Sequence, residues 1–285
     1  VFEPEVAMAA LLSLSLAPSL LERGLLRREP CYDKREVRGQ LSAYFWNNTI
    51  GPGLWKWSHY FDVYEEHLGR IQCSARPSRI LEMGVYSGGS LKMWRWFFGA
   101  RARIYALDIS PRTKAFERND SYGAPNAVFV GSQADPAVWQ QVAAVEKQLD
   151  VILDDAAHTA ELQIASLKLG FKLLAPGGVY IVEDLAMDTQ FSTYVLRHFV
   201  TGDSGGVMQY KALRQIVNER ERQETGMESK ARLHSGSPAS AVEKVTFHPG
   251  IAVITKRRVP LRVITSHRLG SVWEPPEFWA GQPLG

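Results

Sequence analysis

The chain has 285 residues, 45% hydrophobic and 11% aromatic, which is enough to bury a sizeable core and too apolar for a disordered polypeptide. Its 33 lysines and arginines against 30 acids leave a formal charge of +3, which gives no support for nucleic acid as a partner. Two cysteines, Cys31 and Cys73, make no disulfide framework, and a reducing, cytoplasmic setting is the expectation.

The segment VAMAALLSLSLAPSLL (6–21) carries no charge. It is short for a membrane span, which needs roughly 20 apolar residues. Glu3 and Glu5 precede it, where a signal peptide has a basic flank. It reads as an amphipathic or buried helix at an oligomer contact, with no membrane span expected. NNT at 47–49 is a glycosylation sequon, a triplet common by chance. Residues 1–75 read as an N-terminal helical extension that serves the substrate pocket, oligomer contacts or both, with the aromatic segment 55–64 expected to shape that pocket. Within it, WKWSHYFDVYEEHLGR (55–70) places Trp57, Tyr60, Phe61, Tyr64 and Leu68 on one face of a predicted helix, positioned to pack on a core.

From residue 79 strands and helices alternate. RILEMGV, RIYALDIS, AVFVGSQ, LDVILDD and GVYIVEDL read as strands. Helices are predicted from GGSLKMW, over about 136–147, and over TAELQIASLKLGFKLL, which APGG closes. Such alternation implies an α/β fold with a parallel sheet covered by helices on both faces. A further helix is expected near 189–200. The polar run 219–241 reads as a mobile loop, and KVTFHPGIAVITKR (244–257) as a hairpin added to the sheet. Residues 76–257 are then one domain, followed by a tail, 258–285, with no clear pattern.

LEMGVYSGGS (81–90) joins the first strand to the first helix of this domain, at the strand end where open α/β sheets bind ligands. Gly84 and Gly88 have the spacing of a nucleotide-binding turn in which a side chain would block the ligand. Ser90 is placed to cap the helix. Glu82, on the strand, disfavours a pyrophosphate and suits a cationic ligand, and Tyr86 breaks the G-x-G-x-x-G of nicotinamide dinucleotide sites. Asp108 ends the second strand, where a carboxylate can accept from both ribose hydroxyls. S-adenosylmethionine, with a ribose, a sulfonium and no phosphate, fits these features better than NAD. Ser132 and Gln133, at the end of the third strand, are candidates for adenine contact. Tyr86, Ser87 and Asp154 complete the expected cofactor set.

The fourth strand ends in Asp154-Asp155 and the fifth in Glu183-Asp184. Four carboxylates over one cleft repel and shift one another's pKa. A divalent cation relieves that conflict, and oxygen ligands suit Mg²⁺. The expected ligands are Asp155, Glu183 and Asp184. His158, one turn past Asp155, can take a proton from a hydroxyl and is the expected catalytic base.

Taken together, RILEMGVYSGGSLKMW, DVILDDAAH and PGGVYIVEDL resemble the class I methyltransferases of macrolide-sugar and cephalosporin tailoring. That group includes mycinamicin and macrocin O-methyltransferases, rhamnosyl O-methyltransferases and the cephalosporin hydroxylase type. The resemblance runs from about Trp57 to Leu185. It implies a Rossmann-like class I methyltransferase fold with a mostly parallel seven-stranded sheet. It also implies S-adenosylmethionine and Mg²⁺ as cofactors and methylation of a small-molecule hydroxyl. By the same resemblance Asp155, Glu183 and Asp184 hold the metal, His158 is the base, and the protein is a homo-oligomer, a dimer or tetramer. The group's DDGSH reads DDAAH here, with Ala156 in the place of a glycine. An NAD-dependent oxidoreductase is the rival enzyme, and a catalytically silent methyltransferase fold the rival of another class.

Overall fold

The computed structural model describes residues 39–185, 189–200, 228–232, 238–261 and 263–267. The apolar 6–21 segment lies outside these. The described elements are α1 (Gln40–Asn47), α2 (Tyr60–Gln72), β1 (Arg79–Met83), α3 (Gly89–Phe98), β2 (Arg103–Asp108) and β3 (Ala127–Val130). They continue with α4 (Pro136–Val145), β4 (Leu149–Asp154), α5 (Ala160–Leu173), β5 (Leu174–Val182) and α6 (Gln190–Val195), which runs into a π-helical turn, Leu196–Val200. After these come β6 (Glu228–Arg232), a helical turn α7 (Pro238–Ala241), β7 (Val242–His248), β8 (Ile251–Lys256) and β9 (Val263–His267).

Seven strands form one sheet in the order β3-β2-β1-β4-β5-β8-β7. The first five are parallel; β8 pairs antiparallel with β5 and with β7, and β7 and β8 form the hairpin that the HPG turn predicts. The strand order reverses between β1 and β4, which opens a crevice at their carboxyl ends.

Alternation along each strand sends side chains into two separate cores. Ile80, Ile104, Val151 and Val179 face α2 and α3, where Tyr64, Leu68 and Trp94 are fully buried. Leu81, Tyr105, Ile152 and Tyr180 face α4 to α6, with Trp139, Leu167 and Phe191. Burial on both faces explains why these strands read as nearly continuous apolar runs. Each aliphatic side chain so buried contributes about 1.5–3 kcal/mol. Helix α4 starts where Asp135 accepts from the Ala137 amide at 2.8 Å and Pro136 takes the first helical position.

The charges at the amino-terminal rim of the sheet are paired. Asp150 accepts from both guanidinium nitrogens of Arg76 at 2.5 and 3.0 Å and from Arg79 Nε at 3.0 Å. Glu146 takes Arg103 at 3.0 Å and the Tyr105 hydroxyl at 3.1 Å.

Three expectations need correction. The aromatic helix begins at Tyr60, so Trp55 to His59 form a connecting loop and Trp57 is exposed. The polar run 219–241 is not all loop, because Glu228–Arg232 pairs antiparallel with Val263–His267 in the tail; 219–227 and 233–237 lie outside the described residues. Cys73 is disulfide-bonded, against the expectation of two reduced thiols; Cys31 lies outside the described residues, and nothing in the cysteine count signals proximity. Among the described residues no helix is long and apolar enough to cross a membrane.

Candidate active site

A cavity of about 950 Å³ lies over the carboxyl ends of β1, β2, β4 and β5. The sheet's hydrogen bonds continue just past the strands and fix its floor: Gly84 N donates to Leu107 O, Asp155 N to Met83 O and Glu183 N to Asp154 O, at 2.8–3.0 Å. These bonds hold the loops that carry the polar side chains in register.

On the β1–β2–β3 side, Gly84, Tyr86, Ser87, Ser90, Asp108, Ser132 and Gln133 line the cavity. Asp108 is anchored by the Val85 amide on Oδ2 at 2.9 Å and the Ser110 amide on Oδ1 at 2.8 Å. A carboxylate has about four acceptor positions, so each oxygen keeps one for a ligand. The reasons for two glycines differ from expectation. A Cβ on Gly84 would stand 2.1 Å from the Asp155 carbonyl, so the residue is small to let two strand ends meet, not to admit a ligand. Gly88 is away from the cavity and packs against Tyr122 and Phe116.

Ser90 does not cap α3, whose N-cap is Gly88. Its hydroxyl donates to Glu82 Oε2 at 2.8 Å. Glu82 is fully buried behind the cavity wall, and burial pushes its carboxyl up to about 7 against the pull of Lys56 and Ser90. The Gln133 side chain is spent on structure: its amide nitrogen donates to both oxygens of Asp154, at 2.9 and 3.0 Å, and its oxygen accepts from the Ala157 amide at 3.0 Å. Asp154 faces away from the cavity, held also by the Ser166 hydroxyl. Burial raises its carboxyl to about 6, with Ser166 and Gln133 opposing.

On the β4–β5 side the two acidic pairs divide. Asp155 Oδ2 accepts from Lys56 Nζ at 2.5 Å, while its Oδ1 lies 3.1 Å from His158 Nε2. Glu183 Oε2 accepts from the same Lys56 at 2.7 Å. Asp184 Oδ1 accepts from Trp57 Nε1 at 3.0 Å and the Tyr60 hydroxyl at 2.8 Å, and its Oδ2 lies 3.9 Å from His158 Nδ1. Burial alone would lower the Lys56 ammonium's pKa, but Glu183, Asp155 and Glu82 outweigh it and hold the group protonated. Burial raises Asp155, and Lys56 and His158 more than reverse this, leaving it below the usual carboxylate range. The hydrogen bond with Asp155 raises His158.

Asp155, His158 and Asp184 therefore offer ligand atoms within 4.8 Å of one another, a cluster that could hold a metal ion. Glu183 stands apart from it, on Lys56. Three cavity residues, Tyr86, His158 and Asp184, have positive φ angles of 43°, 54° and 46°. For non-glycine residues this is uncommon and clusters where function requires a fixed side chain. Ala156 is not among the positive-φ residues, so alanine serves there without strain.

Sequence reasoning expected 55–64 to shape the pocket, and Trp55, Lys56, Trp57 and Tyr60 do line the cavity; what it did not foresee is that Lys56, Trp57 and Tyr60 bond to the acidic pairs. The one available signal was a lysine flanked by two tryptophans just before a helix.

A profile of the rhamnosyl O-methyltransferase/CmcI family matches residues 59–238. The chain belongs to this family. Among curated family relatives, a tetracenomycin-C 3'-O-methyltransferase acting on the 8-demethyl-8-(2-methoxy-alpha-L-rhamnosyl) form, from Streptomyces olivaceus, is 33% identical over 140 residues, 47% of this chain and 33% of that one. Demethylmacrocin O-methyltransferase of Streptomyces fradiae is 33% identical over 162 residues, covering 54% of this chain and 38% of its own. The chain thus spans about a third to a half of the length of the curated relatives it matches, from 33% to 52%. The solved MycE methyltransferase from the mycinamycin biosynthetic pathway, in complex with Mg, SAH and mycinamycin VI, shares the fold at a TM-score of 0.53 and 22% identity, over 90% of this chain and 62% of that one.

Proposed function

We propose that this family member is an S-adenosylmethionine- and Mg²⁺-dependent O-methyltransferase acting on a sugar hydroxyl of a natural product. One observation carries the reading: the Asp155–His158–Asp184 cluster and the Asp108 carboxylate open into one cavity, as a metal-bound acceptor and a nucleoside cofactor would need. The curated relatives are named as methyltransferases of rhamnosyl and macrolide hydroxyls, and the MycE structure holds Mg and SAH. The donor set fits a hard cation, with two carboxylates at the wall and space for water beside them.

When bound, S-adenosylmethionine supplies the methyl group and Mg²⁺ the Lewis acidity that lowers a hydroxyl's pKa. Asp108 would accept from the ribose hydroxyls. Ser132 would meet the adenine, while Gln133 positions the end of β4 through Asp154 and Ala157. Gly84, Tyr86, Ser87 and Ser90 would border the cofactor, with Glu82, Gly88 and Asp154 supporting that border from behind. Asp155, Glu183 and Asp184 would hold the metal. A neutral His158 whose Nε2 donates to Asp155 leaves Nδ1 unprotonated, and that nitrogen would take the proton of the acceptor hydroxyl. Trp55, Trp57 and Tyr86, all strongly exposed at the cavity, offer flat apolar faces to a sugar or polyketide ring. Trp46 and Ile50, exposed on the segment before that loop, support assembly into a dimer or tetramer.

A second reading, in which His158 ligates the metal, is favoured by the 4.8 Å cluster. Calorimetry with S-adenosylmethionine and with Mg²⁺, followed by transfer of a labelled methyl group to a panel of glycosylated acceptors, tests the proposal. Binding of neither cofactor would overturn it. In the His158→Ala variant, lost turnover with retained Mg²⁺ affinity selects the base, and loss of both selects the ligand.

A further inference from the structure

Asp184 reaches the cavity on a backbone that aspartate seldom adopts, with φ at +46°. Such a conformation persists only where the surroundings over-determine it. Here the surroundings are Tyr60, at the start of α2, and Trp57, in the loop before it. The Tyr60 hydroxyl grips Asp184 by both ends. It donates to Oδ1 at 2.8 Å and accepts from the Asp184 amide at 3.3 Å. The Gly250 carbonyl also lies 2.9 Å from the hydroxyl, but it takes the Leu185 amide at 2.9 Å and does not depend on Tyr60. One hydroxyl hydrogen goes to the stronger acceptor, the charged carboxylate.

Tyr60 itself is held firmly. It is 1% exposed, and its ring meets His59 and Tyr64 edge-on. His59 Nε2 lies 2.8 Å from the Pro249 carbonyl, which ties the start of α2 to the β7–β8 turn. A Cβ on Gly250, whose φ is +73°, would stand 2.6 Å from the Tyr60 oxygen, so the turn closes over the hydroxyl only because glycine is there.

Trp57 Nε1 donates to the same Asp184 Oδ1 at 3.0 Å. A carboxylate has about four acceptor positions, two on each oxygen, so Trp57 and Tyr60 fill those of Oδ1. Oδ2 keeps its own and lies on the His158 side, 3.9 Å from Nδ1. We infer that Tyr60 and Trp57 are positioning residues for the divalent ion: they saturate one oxygen of Asp184, hold its left-handed backbone, and present the other oxygen as a single-point ligand. This rests on the metal-dependent reading above and leaves its ligand set of Asp155, Glu183 and Asp184 unchanged. Neither residue touches the ion; both act through Asp184. Donors that orient a metal ligand from behind commonly account for about 10- to 100-fold in affinity.

The test is calorimetric titration of the full chain with MgCl₂, and separately with S-adenosylmethionine. Tyr60→Phe keeps the buried ring and removes only the oxygen. It should weaken Mg²⁺ binding at least about ten-fold and change S-adenosylmethionine affinity less than about two-fold. Added to Asp184→Asn, it should weaken Mg²⁺ binding less than about two-fold further, because effects that pass through one carboxylate do not add. Three results would each overturn the inference: Mg²⁺ affinity equal to the parent's, an equal loss of S-adenosylmethionine affinity, or the full loss repeated in the Asp184→Asn background. If Tyr60→Phe does not fold, Trp57→Phe decides, since that indole is 62% exposed. Water can replace part of its hydrogen bond, so the loss should be about three-fold in the parent and absent beside Asp184→Asn. No loss in the parent, or the same loss in both, would count against the inference. A parent chain that binds no divalent ion would sink the metal-dependent reading and this inference with it. A parent that binds Mg²⁺ no better than Tyr60→Phe does would sink the inference alone.

Discussion

At the amino-terminal rim of the sheet, Asp150 and Glu146 meet Arg76, Arg79 and Arg103, and both acids are closed by short contacts. At the carboxyl-terminal rim, Glu82, Asp155, Glu183 and Asp184 share one lysine and one histidine. Strand β4 carries a buried acid toward each rim, Asp150 at one end and Asp154 at the other. The first arrangement leaves no oxygen seeking a partner, so its return is cohesion. Among the described residues, the second leaves buried oxygens without hydrogen bonds of ordinary length and three non-glycine positions at positive φ. Such imbalance costs stability and is retained where a ligand will complete it. On the proposed function, the difference separates residues that hold the fold from residues that would act, although both sets are acids near strand ends.

The largest effect is expected at the acting rim. His158→Ala should lower turnover about 10²- to 10⁴-fold, the usual range for a lost general base, while calorimetric affinity for S-adenosylmethionine is unchanged. At the holding rim, Asp150→Asn should leave turnover at low temperature intact and cost about 3 kcal/mol in urea unfolding, because two guanidinium groups lose their carboxylate.

The pH dependence of that cost has a definite sign. Burial raises the Asp150 carboxyl, and hydrogen bonds from Arg79 and Arg76 more than reverse it, leaving the group below its ordinary value. A depressed folded-state pKa adds stability that is complete above the unfolded value of about 4 and is lost as pH falls through the folded one. The stability gap between parent and Asp150→Asn should therefore be full near neutrality and close in acid below about pH 4. A gap that persists there would mean that the carboxylate's charge is not what stabilises the rim.

Smaller effects should come from the backbone. Gly84→Ala places a methyl group against the Asp155 carbonyl at φ +78° and should cost about 1–3 kcal/mol, with weaker Mg²⁺ binding as Asp155 shifts. Ala156→Gly, which restores the glycine of the DDGSH in the family resemblance, should cost only about 0.4–1 kcal/mol through unfolded-state entropy and leave turnover within two-fold.

Much of the fold and half of the site could be read from the chain itself. The alternation from residue 79, the turn at HPG and the acids at the ends of β4 and β5 are local features, because strand and helix periods are written in neighbouring residues. Asp108, Asp155, Asp184 and His158 all reach the cavity for that reason: a strand end in a parallel sheet has only one place to go. Less visible was the helix start at Tyr60, since the aromatic spacing of 55–70 continues across the loop that precedes it.

Alternation of side chains could not reveal which partner each carboxylate meets. Lys56 meets Asp155 and Glu183 across sequence separations of 99 and 127 residues, and Trp57 and Tyr60 reach Asp184 from as far. The sequence by itself determined that Asp155, Glu183, Asp184 and His158 gather over one crevice. Only the tertiary structure decided that two of those acids share a lysine, because counter-ions are set by what folds over the strand ends rather than by the strands themselves.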